Sequence, residues 1–235
     1  KLVAAVYGGY IYTSTDSGAT WTQQTSAGSR NWASVASSSD GTKLVAAVYG
    51  GYIYTSTDSG GTWTQQTSAG SRNWQSVASS SNGTNLVAAV YGGYIYTSTD
   101  SGATWTARTS ISPQNWVSVA SSSDSIKLFA GVYNGSVYTS TDLGATWTAR
   151  TSAGSRYWQS VASSSDGIKL VAASLGYIYT STDSGATWTQ QTSAGSRNWA
   201  SVASSSDGTK LVAAVYGGYI YTSTDSGATW TQQTS

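Results

Sequence analysis

Ten carboxylates, six guanidinium groups and no imidazole bound the chemistry open to this chain. All ten acids are aspartates, and the sequence has no Glu, His, Cys or Met. Glycoside hydrolysis needs two carboxylates at a set separation across one sugar, so the aspartates are the first residues to place. Six of them, Asp16, Asp58, Asp100, Asp142, Asp183 and Asp225, sit in copies of Ser-Thr-Asp-x-Gly-x-Thr-Trp, spaced 42, 42, 42, 41 and 42 residues apart. The other four, Asp40, Asp124, Asp166 and Asp207, fall in turn-forming stretches at the same period. A carboxylate that recurs once per repeat is held at its own repeat. Acid and base need different environments, which a near-symmetric set does not provide. A calcium site wants several oxygens, and each loop offers one carboxylate. Without His or Cys there is no imidazole base, thiol chemistry, disulfide or Cys/His zinc site. The expectation is a non-enzymatic chain with no metal and no cofactor.

The elements that must position these residues are repeats. A second motif, Trp-x-Ser-Val-Ala-Ser-Ser-Ser, begins at Trp32, Trp74, Trp116, Trp158 and Trp199, and the two motifs together account for all eleven tryptophans. Residues 1–26 are identical to 210–235, which points to recent duplication. Each unit reads as four short strands. In the second unit these are Trp32 to Ser38, Leu44 to Tyr49, Tyr52 to Thr57 and Thr62 to Thr67. The runs are rich in Tyr, Val, Ile, Trp and Thr and are punctuated by Asp-Gly and Gly-Gly, which tolerate positive φ. Leu-Val-Ala-Ala-Val-Tyr is apolar throughout, as expected of a strand covered on both faces.

Four antiparallel strands in about 42 residues is the pattern of a β-propeller blade. The expected fold is all-β: a single propeller domain over 1–235, with blades at about 1–26, 27–68, 69–110, 111–152, 153–193 and 194–235. The last three strands of the unit occur six times and the first only five, so six blades are expected, one lacking its inner strand. An unfilled sheet edge invites pairing with another chain. The gap is expected to be filled by a neighbouring molecule or by residues outside this chain. The start at Lys1, inside an apolar run, reads as an excerpt or a processed piece.

The spacing Ser14-x-Asp16-x-Gly18-x-x-Trp21, repeated through the six copies, resembles the Asp-box, or BNR repeat, of sialidases and many other propellers. The resemblance covers essentially the whole chain. It implies that Asp16, Trp21, Asp58, Trp63, Asp100, Trp105, Asp142, Trp147, Asp183, Trp188, Asp225 and Trp230 are structural residues of the turn between the third and fourth strands. The residues agree: Asp accepts backbone N–H bonds, Gly supplies a left-handed position and Trp packs on the neighbouring sheet. Sialidases of this resemblance use a Tyr–Glu nucleophile pair, an Asp acid/base and three clustered arginines. This chain has no Glu, and its arginines, Arg30, Arg72, Arg108, Arg150, Arg156 and Arg197, repeat with the blades.

In a meander all the aspartate turns lie at one end of the blades, so a ligand is expected at the other. That end collects Arg30, Asn31, Arg72, Asn73, Asn115, Arg156, Arg197 and Asn198 before or at the start of inner strands. Beside glycines it collects Tyr7, Tyr49, Tyr91, Tyr133 and Tyr216. Aromatic faces with amide and guanidinium donors suit sugars or peptides. Departures from the repeat cluster there too: Ile-Ser-Pro-Gln at 111–114, Asn-Gly-Ser-Val at 134–137 and a one-residue deletion at Ser-Leu-Gly, 174–176.

Two readings follow. One is a multivalent module binding glycans, with avidity from repeated weak sites. The other is an assembly scaffold that holds a protein partner or associates with itself through the incomplete blade. Charged residues are 9% of the chain and the net charge is +1. With no basic tract, no nucleic-acid partner is expected, and with no long apolar run, no membrane span. Low charge, abundant Ser and Thr and the lack of Cys fit an extracellular or cell-surface location.

Overall fold

The structure, a computed structural model, describes residues 1–234. It divides into two compact units, residues 1–114 with 123–125, and residues 115–122 with 126 onward. Both are built from antiparallel β-sheets of propeller-blade type. The first sheet has three strands, β1 (Leu2–Ala5), β3 (Ile11–Ser14) and β4 (Thr22–Gln24), while β2 (Tyr7–Gly9) leaves it to pair with the next sheet. The second blade has all four: β5 (Arg30–Ser37), β6 (Leu44–Gly51), β7 (Ile53–Ser56) and β8 (Thr64–Gln66). Each pairs antiparallel with the next in chain order. The four later blades repeat this order. Among the described residues the sheet lacking its inner strand is the first.

The apolar second strand is explained by what it touches. Leu44, Ala46 and Val48 join one core with Ile11, Trp32 and Tyr54. Val45, Ala47 and Ile53, on the opposite face, join another with Trp74, Val77 and Leu86. A strand alternates faces at every residue, so a blade packed between two others must be apolar at every position. Each fully buried Val, Leu or Ile contributes about 1.5–3 kcal/mol. Trp32, Trp74, Trp116, Trp158 and Trp199 are fully buried. In five blades the Trp ring meets a Tyr ring of the third strand edge-on, for example Trp74 and Tyr96 at 5.2 Å.

The strand bounds of the second blade differ from those expected at all four strands, and two of the differences matter most. Inner strands begin two residues early, at Arg30 and Arg72, because Asn31 and Arg30 pair with Tyr7 and Gly9, and Asn73 and Arg72 with Tyr49 and Gly51. The Gly-Gly turn thus lends its residues to the following blade. The fourth strand is shorter, Thr64–Gln66 in place of Thr62–Thr67, because the aspartate turn before it engages Thr62 and Trp63.

Candidate functional site

At one end of each blade the repeated aspartate is locked into its turn. In the second blade one oxygen of Asp58 accepts the Thr62 amide at 2.8 Å, and the other accepts the Thr62 hydroxyl at 2.7 Å. The Ser56 hydroxyl donates to the same carboxylate at 2.8 Å and accepts the Gly60 amide. The indole N–H of Trp63 donates to the Gly60 carbonyl at 3.0 Å. Two consecutive left-handed residues, Ser59 (φ 66°) and Gly60 (φ 94°), shape the loop. The other five copies repeat the Asp–Thr and Ser–Asp bonds.

Hydrogen bonds to an ionised carboxylate favour the ionised form. The Thr62 amide and hydroxyl hold Asp58 at a pKa of about 2. The Thr20, Thr187 and Thr229 hydroxyls lead in holding Asp16, Asp183 and Asp225 there too. Asp100 and Asp142 are lowered by the same contacts. Asp40, in the turn between the first two strands, is held at about 2, chiefly by the Ser38 hydroxyl. Carboxylates with these partners are poor proton donors near neutral pH. Among the described residues no group of three His, Cys, Asp or Glu could hold a metal.

The opposite end carries the tyrosines and asparagines. Tyr7 lies directly across from Asn31, and Tyr49 from Asn73. All four are exposed, and cross-strand partners sit about 5 Å apart. The first unit therefore presents the same aromatic–amide pair twice, and Tyr91 is exposed at the equivalent place. In the second unit Tyr133 lies across from Tyr157, ring centres 5.1 Å apart, and Leu175 from Asn198. Asn115 and Tyr216 are exposed there. Tyr157 belongs with these residues; its alignment with Asn31 in the repeat is the signal for it.

The arginines play two parts. Arg30, Arg72, Arg156 and Arg197 lay their guanidinium groups 4.4–4.9 Å from the ring centres of Tyr54, Tyr96, Tyr179 and Tyr221. The Nε of each donates to a carbonyl three residues upstream, as Arg72 does to Ala69 at 2.8 Å. Burial raises the Tyr54 hydroxyl pKa, and the nearby Arg30 charge opposes that rise. Arg108 and Arg150 lie instead on the fourth strand, where each Nε donates to Thr97 or Thr139 at 2.7 Å. Gln24 and Gln66 make the same bond in the first two blades.

No protein-family model and no curated protein matches the chain. Similar solved structures do exist. YCF48 from Cyanidioschyzon merolae is 20% identical with a TM-score of 0.71, the match covering 97% of this chain and 79% of that one. YCF48 bound to D1 peptide is 18% identical with a TM-score of 0.74, covering 98% and 77%. The GH74 xyloglucanase from Xanthomonas campestris is 16% identical with a TM-score of 0.78; the match covers 99% of this chain but 43% of the enzyme. At these identities the likeness shows the fold, and the fold is a β-propeller.

Proposed function

We propose that this chain is a non-enzymatic, multivalent binding module of Asp-box type, and that its ligand is a glycan. The carrying observation is the repeated exposed pair of Tyr7 with Asn31 and Tyr49 with Asn73, on the end of the blades away from the aspartates. A tyrosine ring stacks on the apolar face of a sugar while a neighbouring amide both donates to and accepts from its hydroxyls. Carboxylates occupied by their own turns support binding without hydrolysis. Several equivalent shallow sites raise apparent affinity for a branched or repeating ligand. An extracellular location fits this reading.

A protein partner is the second reading. It is favoured by the similarity to a propeller described with a bound D1 peptide. The same aromatic and amide groups recognise peptides.

The test is a glycan array run beside a peptide array, with free-ligand competition. Competed glycan binding that is lost in Tyr49→Ser and Tyr133→Ser supports the first reading. Competed peptide binding lost in the same variants moves the ligand to the second. No binding to either array by well-folded protein overturns the assignment of this surface.

A further inference from the structure

Tyr157 breaks the rim pattern, and what it faces gives the break a chemistry. At the corresponding places Tyr7 faces Asn31 and Tyr49 faces Asn73. In the second unit a phenol replaces the amide: Tyr157 stands at the repeat position of Asn31 and Asn73, directly across from Tyr133. The two ring centres are 5.1 Å apart and the planes are tilted by 55°. Tyr133 is 36% exposed and Tyr157 45% exposed. The tyrosines of the third strands are placed otherwise: Tyr54, Tyr96, Tyr138, Tyr179 and Tyr221 each meet a tryptophan edge-on. Among the described residues, Tyr133 and Tyr157 form the one tyrosine–tyrosine ring contact.

The backbone on both sides of the pair is tied down. The Val132 amide donates to the Ser136 carbonyl at 3.2 Å, and Asn134, at φ 56°, reverses the chain beside Tyr133. Gly135 pairs with Arg156, and its carbonyl accepts the indole N–H of the fully buried Trp158 at 2.9 Å. The Arg156 Nε donates to the Ala153 carbonyl at 2.9 Å, and its guanidinium lies 4.4 Å from the Tyr179 ring centre. Cross-strand β-carbons sit about 5 Å apart. The two phenols therefore stay attached to adjacent points whichever rotamers their exposed rings take.

From this geometry we propose that Tyr133 and Tyr157 are a modification site, at which a peroxidase using hydrogen peroxide joins two blades through a dityrosine bond. The oxidised peroxidase takes one electron and one proton from each phenol and leaves two phenoxyl radicals. Each radical shares its unpaired electron between the oxygen and the ring carbons ortho and para to it. An ortho carbon (Cε) of Tyr133 bonds to an ortho carbon of Tyr157, and the hydrogen on each of those carbons moves to the oxygen of its own ring. The two tyrosines lose two hydrogen atoms in all, and one hydrogen peroxide is reduced to two waters. Coupling within the chain outruns coupling between chains because the rings are already neighbours. The new bond ties the strand Leu128–Gly135 to the strand Arg156–Ser163. Tyr7 and Tyr49 face amides and have no such partner. The inference is independent of which ligand the rim takes.

The test treats the folded chain with a haem peroxidase and hydrogen peroxide, then digests it with trypsin. Cleavage after Lys127, Arg150, Arg156 and Lys169 puts Tyr133 on the peptide 128–150 and Tyr157 on the peptide 157–169. Mass spectrometry is expected to find these two peptides joined, lighter than their sum by two hydrogen atoms, and the product is expected to show dityrosine fluorescence. Fragmentation is expected to place the bond at Tyr133 and not at Tyr138, which shares its peptide. Tyr133→Phe and Tyr157→Phe, which lack the phenol and keep the ring, are each expected to abolish the joined species. Tyr219→Phe removes a phenol that is 58% exposed and is expected to leave the yield unchanged. A tenfold dilution of the chain is also expected to leave it unchanged. Absence of the joined peptides, a bond through Tyr138, survival of the species in either Phe variant at position 133 or 157, or a yield that falls with dilution overturns the inference.

Discussion

Asp58 grips Thr62 with both carboxylate oxygens, one on its amide and one on its hydroxyl. That grip closes the turn and brings Trp63 to the head of the fourth strand. Asp16, Asp58, Asp183 and Asp225 are held at about 2 in the folded chain, against about 3.9 unfolded. A folded value below the unfolded one gives stability that is complete above the unfolded pKa and lost as pH falls through the folded one. The melting temperature is therefore expected to fall from pH 4 to pH 2 as these carboxylates protonate. Asp58→Asn is expected to lower it at pH 7 and to lessen the acid-dependent part. A melting temperature unchanged down to pH 2 would show that the grip adds no stability.

Two glycine substitutions separate backbone strain from crowding. Gly50 and Gly102 both have positive φ, 71° and 92°. A Cβ at Gly50 meets open space, whereas one at Gly102 comes to 2.8 Å from Thr55 Cγ2. Gly50→Ala is expected to cost about 1–2 kcal/mol from the left-handed backbone alone. Gly102→Ala is expected to cost about 1–3 kcal/mol more, because Thr55 must move. Urea unfolding compares the two directly, and equal losses would refute the crowding.

Leu143 occupies the left-handed position that serine takes in the other five turns, at φ 58°. A branched-chain residue there is strained by about 1–2 kcal/mol. Leu143→Gly is expected to raise the urea midpoint, with a gain of up to about 1 kcal/mol after the added freedom of the unfolded chain is counted. A lowered midpoint would mean that the leucine side chain contributes more than its backbone costs.

Arg72 discriminates a structural guanidinium from a ligand-binding one. Its contact with the Tyr96 ring and its bond to the Ala69 carbonyl together suggest a loss of about 1–2 kcal/mol in Arg72→Ala. Arg72→Lys is expected to restore little of it, because a lysine cannot reproduce the planar fork. Unchanged stability in both variants would assign the group to ligand contact alone.

Trp74 and Tyr49 are expected to behave oppositely. Trp74 is fully buried, and Trp74→Ala is expected to cost about 3–5 kcal/mol. Tyr49→Ser changes an exposed rim residue and is expected to stay within about 0.5 kcal/mol of wild type. Chemical denaturation of the pair checks this, and a large loss from Tyr49→Ser would make that tyrosine structural.

The sheet order was legible in the sequence because it depends on local pattern: short runs rich in β-branched and aromatic residues, Asp-Gly and Gly-Gly turns and a repeated spacing. What was not legible depends on a neighbouring blade. Gly50-Gly51 reads as a turn and is one, yet Gly51 also pairs with Arg72 of the next blade. The reversed φ of Ser59 was hidden because serine carries no preference for it; only Gly60 advertised the loop. The cation–ring contact of Arg30 with Tyr54 joins residues 24 positions apart in sequence, and nothing in the spacing announces it. On the rim, Tyr49 and Asn73 were each picked out by type, but only the register across the blades shows that they are partners.

Leu44 and Val45 are adjacent in the chain and belong to different cores. Epistasis in such a protein should follow the stacking and skip the peptide bond. Mutations at residues 44 and 45 should combine additively despite their adjacency, whereas a change at Val45 should find its suppressors near Leu86 and Ala88, some forty residues away. Genetic dependence would then carry a period of one repeat, and each newly duplicated unit would arrive already compatible with its neighbours.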